Sequence, residues 1–222
     1  MTAVKSMPYP LLLTDCSAPG VRVGILDKSG WLAYTSRNGE AVAALFEAVE
    51  TVLAQTGLAL EDLGGFAYCE GPGSTLGIRI NLMALKTWNS LYAHPRPVFA
   101  YQSLQAAALI IRSTSLAQSD FVIFSDLRKG VWNACKVDDA GMISPIEAVD
   151  RTALDGWSGR RFYLRQRLYS PGPPPEAQSL EYDLKPLGTS REFLKLFAAV
   201  EEPGVFQTTI TEFKRWEPQR HR

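Results

Sequence analysis

Apolar positions follow two different periods along the first hundred residues. Pro10–Asp15 (Pro-Leu-Leu-Leu-Thr-Asp) is a short apolar run ending in an acid. It is too short for a helix and reads as a buried strand. Pro19-Gly20 marks a turn. Val21–Leu26 alternates apolar with other residues, and Trp31–Ser36 resumes the alternation after Asp27-Lys28-Ser29-Gly30, so three strands form an antiparallel meander. The period then changes. Val42, Leu45, Phe46, Val49, Val52 and Leu53 recur at spacings of three and four, which predicts a helix over Gly39–Gln55 with Gly57 as its stop. Leu60–Gly64 reads as a short turn and Gly65–Glu70 as a fourth strand. Gly71-Pro72-Gly73-Ser74 is a loop, and Leu76–Tyr92 is a second helix capped by Ser74 or Thr75. Pro95 and Pro97 end that region before a fifth strand, Val98–Tyr101. The predicted order is β-β-β-α-β-α-β.

A third helix follows near Ser103–Arg112, then strands Phe121–Ser125 and Val131–Val137 around a turn at Asp126–Gly130. Beyond Gly141 the pattern weakens. Arg151–Arg167 is locally basic and reads as a solvated face; Pro171–Pro175 is loop or extended. Arg191–Val200 reads as a helix with Phe193, Leu194, Phe197 and Val200 on one face. Glu212–Arg222 is a polar, basic tail that reads first as a mobile end; Trp216 among its cations also offers a mixture for touching RNA by stacking and charge.

Charge narrows the functional classes. Lys and Arg total 23, Asp and Glu total 23, and the net charge is zero. The balance is even: 7 basic against 8 acidic residues in 1–111, and 16 against 15 in 112–222. No domain carries the basic excess expected of a protein that grips nucleic acid through its phosphates. The 46% of hydrophobic residues in 222 supports a sizeable core in one large or two small domains. His94 and His221 cannot form a close two-His metal pair. Cys16, Cys69 and Cys135 are scattered without a Cys-x-x-Cys and read as reduced, buried thiols of a cytoplasmic protein. No apolar run approaches a membrane span, and Met1–Pro10 lacks a secretory pattern.

The sharpest chemical feature is Glu70-Gly71-Pro72-Gly73-Ser74-Thr75-Leu76-Gly77-Ile78-Arg79-Ile80, between a strand and a helix. Glycines permit close backbone approach, and a helix N-terminus offers free N–H groups to an anion. It is not a Walker A loop, since no Gly-Lys-Ser/Thr follows, and its third glycine falls one residue late for a dinucleotide fingerprint. Two readings stand: a tight capped turn, or an anion or ligand seat formed by Glu70, Gly71, Pro72, Gly73, Ser74, Gly77 and Arg79. Asp15, at the end of a buried strand, either serves a metal-nucleotide or nucleophile, or caps the next turn. Asp126 and Arg128 read by default as a turn-stabilising ion pair.

The Glu70–Ile80 stretch closely resembles the Gly-Pro-Gly-Ser-Phe-Thr-Gly-Val/Leu-Arg-Ile segment of the TsaB (YeaZ) family. The resemblance extends over positions 10–137, with Tyr101-Gln102-Ser103-Leu104 and Ser125-Asp-Leu-Arg-Lys-Gly-Val-Trp132 in the expected order. It departs in Asp15-Cys16 for an opening Asp-Thr, in Arg37-Asn38-Gly39-Glu40 without a His, in Thr75 and Leu76 after the glycine loop, and in Asn81 for a usual glycine.

The resemblance implies an α/β fold of the actin-like/Hsp70-like ATPase superfamily, with two ribonuclease-H-like subdomains of mixed sheets flanked by helices. Residues 1–102 would form the first, and 103–222 a smaller, divergent second whose 190–200 helix packs back on the first. It also implies a non-catalytic subunit that joins a TsaD-like catalytic partner and a TsaE-like ATPase to install threonylcarbamoyl on the tRNA adenosine next to the anticodon. The contact with tRNA is then indirect. No metal and no cofactor belong to this chain alone, and ADP or ATP sits at most at a partner interface. The first two helices would form the partner surface, also used for a homodimer, through Val42, Phe46, Val49, Leu82, Met83, Leu85, Lys86, Trp88 and Asn89. The second helix, with Leu91 besides, has more apolar residues than one buried stripe needs. An alternative is an actin-fold phosphotransferase or nucleotide hydrolase using Asp15 with the Gly71–Gly73 loop. Members of the family have also been described as glycoprotease-like peptidases, for which the chain shows neither a metal pair nor a nucleophile–base pair.

Overall fold

The computed structural model describes residues 7–114, 116, 119–157, 159–166 and 176–208. The Pro171–Pro175 run, the Glu212–Arg222 tail and Arg167 lie outside these residues. Strands β1 (Leu11–Asp15), β2 (Val21–Asp27) and β3 (Gly30–Arg37) are the expected antiparallel meander. Helix α1 (Ala41–Thr56), strand β4 (Gly65–Gly71), helix α2 (Thr75–Ser90), strand β5 (Val98–Gln102) and helix α3 (Ser103–Ser113) follow in the predicted order. Gly57 ends α1 in the left-handed region at φ +68°, the stop that the helical period required.

Strands β6 (Phe121–Arg128), β7 (Val131–Val137) and β8 (Glu147–Asp150), helix α4 (Arg151–Asp155), and strands β9 (Arg160–Leu164) and β10 (Gln178–Leu180) build a second sheet, ordered β10-β9-β6-β7-β8. Helix α5 (Arg191–Lys195) and strand β11 (Ala198–Val200) close the described chain. The first sheet runs β11-β5-β4-β1-β2-β3. It is mixed, because β1–β4 and β4–β5 are parallel while β1–β2, β2–β3 and β5–β11 are antiparallel.

The layers follow from alternation on β1. Leu12 faces α1 and α2, in a core with Leu45, Val49, Ile78, Leu82, Leu85 and Trp88. Leu11 and Leu13 face α3, whose Leu104–Ile111 run is buried almost all round. The same core holds Phe121 and Ile123 of β6, so α3 is sandwiched between the two sheets. Each buried Leu or Ile there contributes about 1.5–3 kcal/mol.

The helix expected over 191–200 is corrected. Ser190 caps a short α5 by accepting from Phe193 N at 3.2 Å, the chain leaves the helix at Leu196, and Ala198–Val200 pairs antiparallel with Val98–Ala100. The three-and-four spacing of Phe193, Phe197 and Val200 suits a helix, but residues 198–200 supply the backbone bonds that β5 would otherwise lack at that edge. The aromatic stripe is still used inward: Phe193 is fully buried, and Phe197 stacks on Tyr101 with ring centroids 5.6 Å apart. The basic stretch from Arg151 is in part a paired surface, with Arg151 bridging Asp155 and Glu176, and Arg161 bridging Asp155.

Candidate functional site

The β4–α2 loop is packed against the chain's own first turn. Ser74 N donates to Ser17 O at 2.8 Å, and the Ser74 hydroxyl caps α2 by accepting from Gly77 N at 3.2 Å. The glycines are explained by this contact. A Cβ on Gly73 would lie 2.3 Å from Ser17 O, and one on Gly77 would lie 2.2 Å from Cys16 O. Gly71 takes φ +116°, a conformation that side-chain-bearing residues rarely adopt. The close backbone approach that glycines permit is thus made by the Cys16-Ser17 turn. Asn81, where the resembling family has glycine, is completely buried and donates to Thr14 O at 3.1 Å, binding α2 to β1.

Asp15 is a fully buried carboxylate with both oxygens engaged. Oδ1 accepts from Ser17 N at 2.7 Å, and Oδ2 accepts from Tyr101 Oη at 2.7 Å and from Tyr182 Oη at 2.8 Å. Arg22 lies opposite Asp15 in the β1–β2 register. Its Nε donates to Tyr182 O at 2.7 Å, its Nη2 donates to Pro19 O at 2.8 Å, and its guanidinium sits over the Tyr182 ring. Burial and the Asp15 charge hold the Tyr101 and Tyr182 hydroxyls well above their ordinary titration, so both remain donors. Buried charge is tolerable only when hydrogen-bonded, and here three donors surround it. The result is a clasp between β1, β5 and the segment after β10.

The loop is tied to the second half as well. Ser103 Oγ donates to Pro72 O at 2.6 Å, and Gln166 Nε2 donates to Ser103 Oγ at 2.8 Å and to Pro72 O. Glu70 accepts from Gln102 Nε2 at 3.1 Å through its carboxylate, which burial pushes up in pKa. Phe206 N donates to Glu70 O at 2.8 Å, and Thr208 Oγ1 donates to Asn133 Oδ1 at 2.6 Å, so the 203–208 segment runs from β4 to β7. A cleft of about 160 Å³ remains beside it, lined by Gly73, Thr75 and Arg79 on one side and Asp126 and Asn133 on the other. Asp126 accepts from Tyr163 Oη at 2.5 Å.

The three cysteines are free and buried. Burial pushes all three thiols up, Cys135 to about 12. No group of three or more His, Cys, Asp or Glu among the described residues is placed to hold a metal, and no helix there is long and apolar enough to cross a membrane.

The two-helix face divides the residues expected to meet a partner. Val49, Leu82, Leu85 and Trp88 are buried in this chain's own core. They support the face from beneath, a correction to their expected place on its surface. Amphipathic period alone cannot separate a buried stripe from the residues beside it. Val42, Phe46 and Met83 are 52%, 44% and 69% exposed. Lys86 is exposed and Asn89 half-buried, the latter holding Arg96 through both backbone groups. Leu76 and Leu91 join this surface at 71% and 72% exposure. The ring of Phe46 meets that of Trp88 edge-on at 5.7 Å, which brings α1 and α2 together under the patch.

Sequence reasoning missed Arg22, Tyr101, Ser103, Gln166 and Tyr182. Tyr182 is 167 positions from Asp15, and no local pattern announces so distant a bond.

The chain thus folds as two mixed sheets around a central helix, with a glycine turn between β4 and α2. Two solved structures from Pseudomonas aeruginosa share this fold. One is described as an uncharacterized protein with similarity to peptidase YeaZ, at 19% identity and TM-score 0.66 over 90% of this chain and 99% of that one. The other is YeaZ, at 21% identity and TM-score 0.59 over 79% of this chain and 85% of that one. Residues 40–124 match the family model of TsaD, tRNA N6-adenosine threonylcarbamoyltransferase. No curated protein matches the chain. The family-model match spans α1, the glycine loop, α2 and α3, and the two YeaZ-titled structures share the fold of this chain.

Proposed function

We propose that this chain is a non-catalytic subunit that docks a TsaD-like catalytic partner for threonylcarbamoylation of the tRNA adenosine next to the anticodon. The observation that carries it is the apolar patch on α1 and α2. Val42, Phe46, Leu76, Met83 and Leu91 are five of the seven large hydrophobic residues exposed among the described residues. Singly exposed apolar residues are ordinary, but a cluster on two adjoining helices marks a protein interface.

The packing around Asp15 supports the same reading. A phosphotransferase would need Asp15 open to a ligand, and both of its oxygens are hydrogen-bonded within the chain. A TsaE-like ATPase completes the proposed assembly, tRNA is contacted through the complex, and an adenine nucleotide belongs where the patch meets its partner. Without the partner, the same patch pairs with a second copy. The proposed setting is the cytoplasm.

The test mixes this chain with the TsaD-like protein of the same organism and measures association by calorimetry, then the modified nucleoside in cells depleted of the chain. A tight complex and loss of the nucleoside are expected. Absence of both removes the proposal.

A further inference from the structure

The outward flank of α2 carries cations that the chain does not answer. Arg79 and Lys86 are exposed and seven residues apart, which places them on one stripe of the helix about 10 Å from each other. Arg96 follows the helix and is anchored to it: Arg96 N donates to Asn89 Oδ1 at 2.7 Å and Asn89 Nδ2 donates to Arg96 O at 3.0 Å. None of the three cations has an ion-pair partner among the described residues. The Arg96 guanidinium lies 4.9 Å from the Tyr92 ring centroid, and its Nε is a buried N–H without an acceptor. Beside Lys86 and Arg96 lies a groove of about 470 Å³, lined also by Leu85, Val98, Val200 and Glu201.

Resting on the docking role of α2 proposed above, we infer that the partner lays an acidic segment along this flank, with carboxylates meeting Arg79, Lys86 and Arg96 and an apolar side chain entering the groove. Lys86 and Arg96 against Glu201 leave the rim of the groove positive, with Arg79 further along the helix beside the cleft it shares with Asp126, and guanidinium and ammonium groups select carboxylates. The aliphatic lining of the groove accepts an apolar anchor. Arg96 Nε has no acceptor among the described residues, and a buried donor left unpaired is unfavourable. Lys86 is three residues from Met83, so the strip adjoins the apolar patch and one partner covers both.

The test measures binding of the full-length chain to the purified TsaD-like protein at low and high salt, with melting curves to establish that each variant folds. The double variant Lys86→Glu/Arg96→Glu is expected to weaken association about tenfold and to flatten its salt dependence. Lys86→Arg is expected to bind as the unaltered chain does. If Met83→Asp abolishes association while the charge reversals change neither affinity nor salt dependence, the acidic segment is overturned and the docking face stands. If neither kind of variant matters, the docking face falls and the segment with it. If the reversals weaken binding of tRNA but not of the TsaD-like protein, the strip serves nucleic acid and the inference fails.

Discussion

The N-terminus of α2 and its outward flank make opposite use of residues that stood out in the sequence. At the N-terminus, glycines and a buried acid are consumed by contacts within the chain: Gly73 and Gly77 admit the Cys16-Ser17 backbone, and Asp15 is bonded by Ser17, Tyr101 and Tyr182. Along the flank, Leu76, Met83, Arg79 and Lys86 are exposed, and neither Arg79 nor Lys86 has an ion-pair partner among the described residues. The contrast teaches how a glycine-rich motif should be weighed. Such a motif reports that something comes close to the backbone, and here that something is the protein. An exposed apolar stripe is the feature that burial within the chain does not account for, and the proposed docking role rests on it.

Substitutions at the two regions should therefore separate stability from association. The largest effect is expected at Asp15. Asp15→Ala removes the acceptor of two buried tyrosine hydroxyls and should lower the unfolding free energy by about 3 kcal/mol in urea melts. Unchanged stability would mean that the clasp does not hold the halves together. Gly73→Ala drives a methyl group to 2.3 Å from Ser17 O, and a loss of about 2 kcal/mol is expected. A neutral result there would show that the loop is open to a ligand after all. Tyr182→Phe deletes one donor to Asp15 and is expected to cost about 1 kcal/mol by the same melts.

A smaller effect tests burial by pH. The Cys135 thiol is raised from 9.0 to about 12 by burial, partly offset by its bond to Ser144. The unfolded chain therefore loses this proton first as pH rises. The stability tied to the protonated thiol is whole below pH 9 and falls as pH climbs toward about 12. Native protein should leave its three cysteines unreactive to a thiol reagent at mild alkaline pH, with all three reacting after unfolding. The smallest stability effect is expected at Met83, which is 69% exposed: Met83→Asp should shift unfolding by less than about 0.5 kcal/mol while abolishing association.

Much of the first half of the fold was legible from residue pattern. The period of two in Val21–Leu26, the period of three and four in Val42–Leu53 and the stop at Gly57 are local signals, and the backbone obeys them. Ser74 as the cap of α2 was legible for the same reason, since capping is a bond between residues three apart. The Arg191–Val200 segment misled because its spacing suits a helix, while the open edge of β5 recruits its last three residues as a strand.

The sequence by itself determined the alternation of strands and helices through β7 and the wide spacing of the two His along the chain. The first rests on residues near one another along the chain, whose geometry is set by backbone period and capping. Only the tertiary structure decided what the glycines admit, that Asp15 is locked by Tyr101 and Tyr182, and which apolar residues of α2 remain outside. Those outcomes depend on segments far apart in sequence arriving at one place, and on which side of a helix the sheet covers. Neither is written in any local spacing.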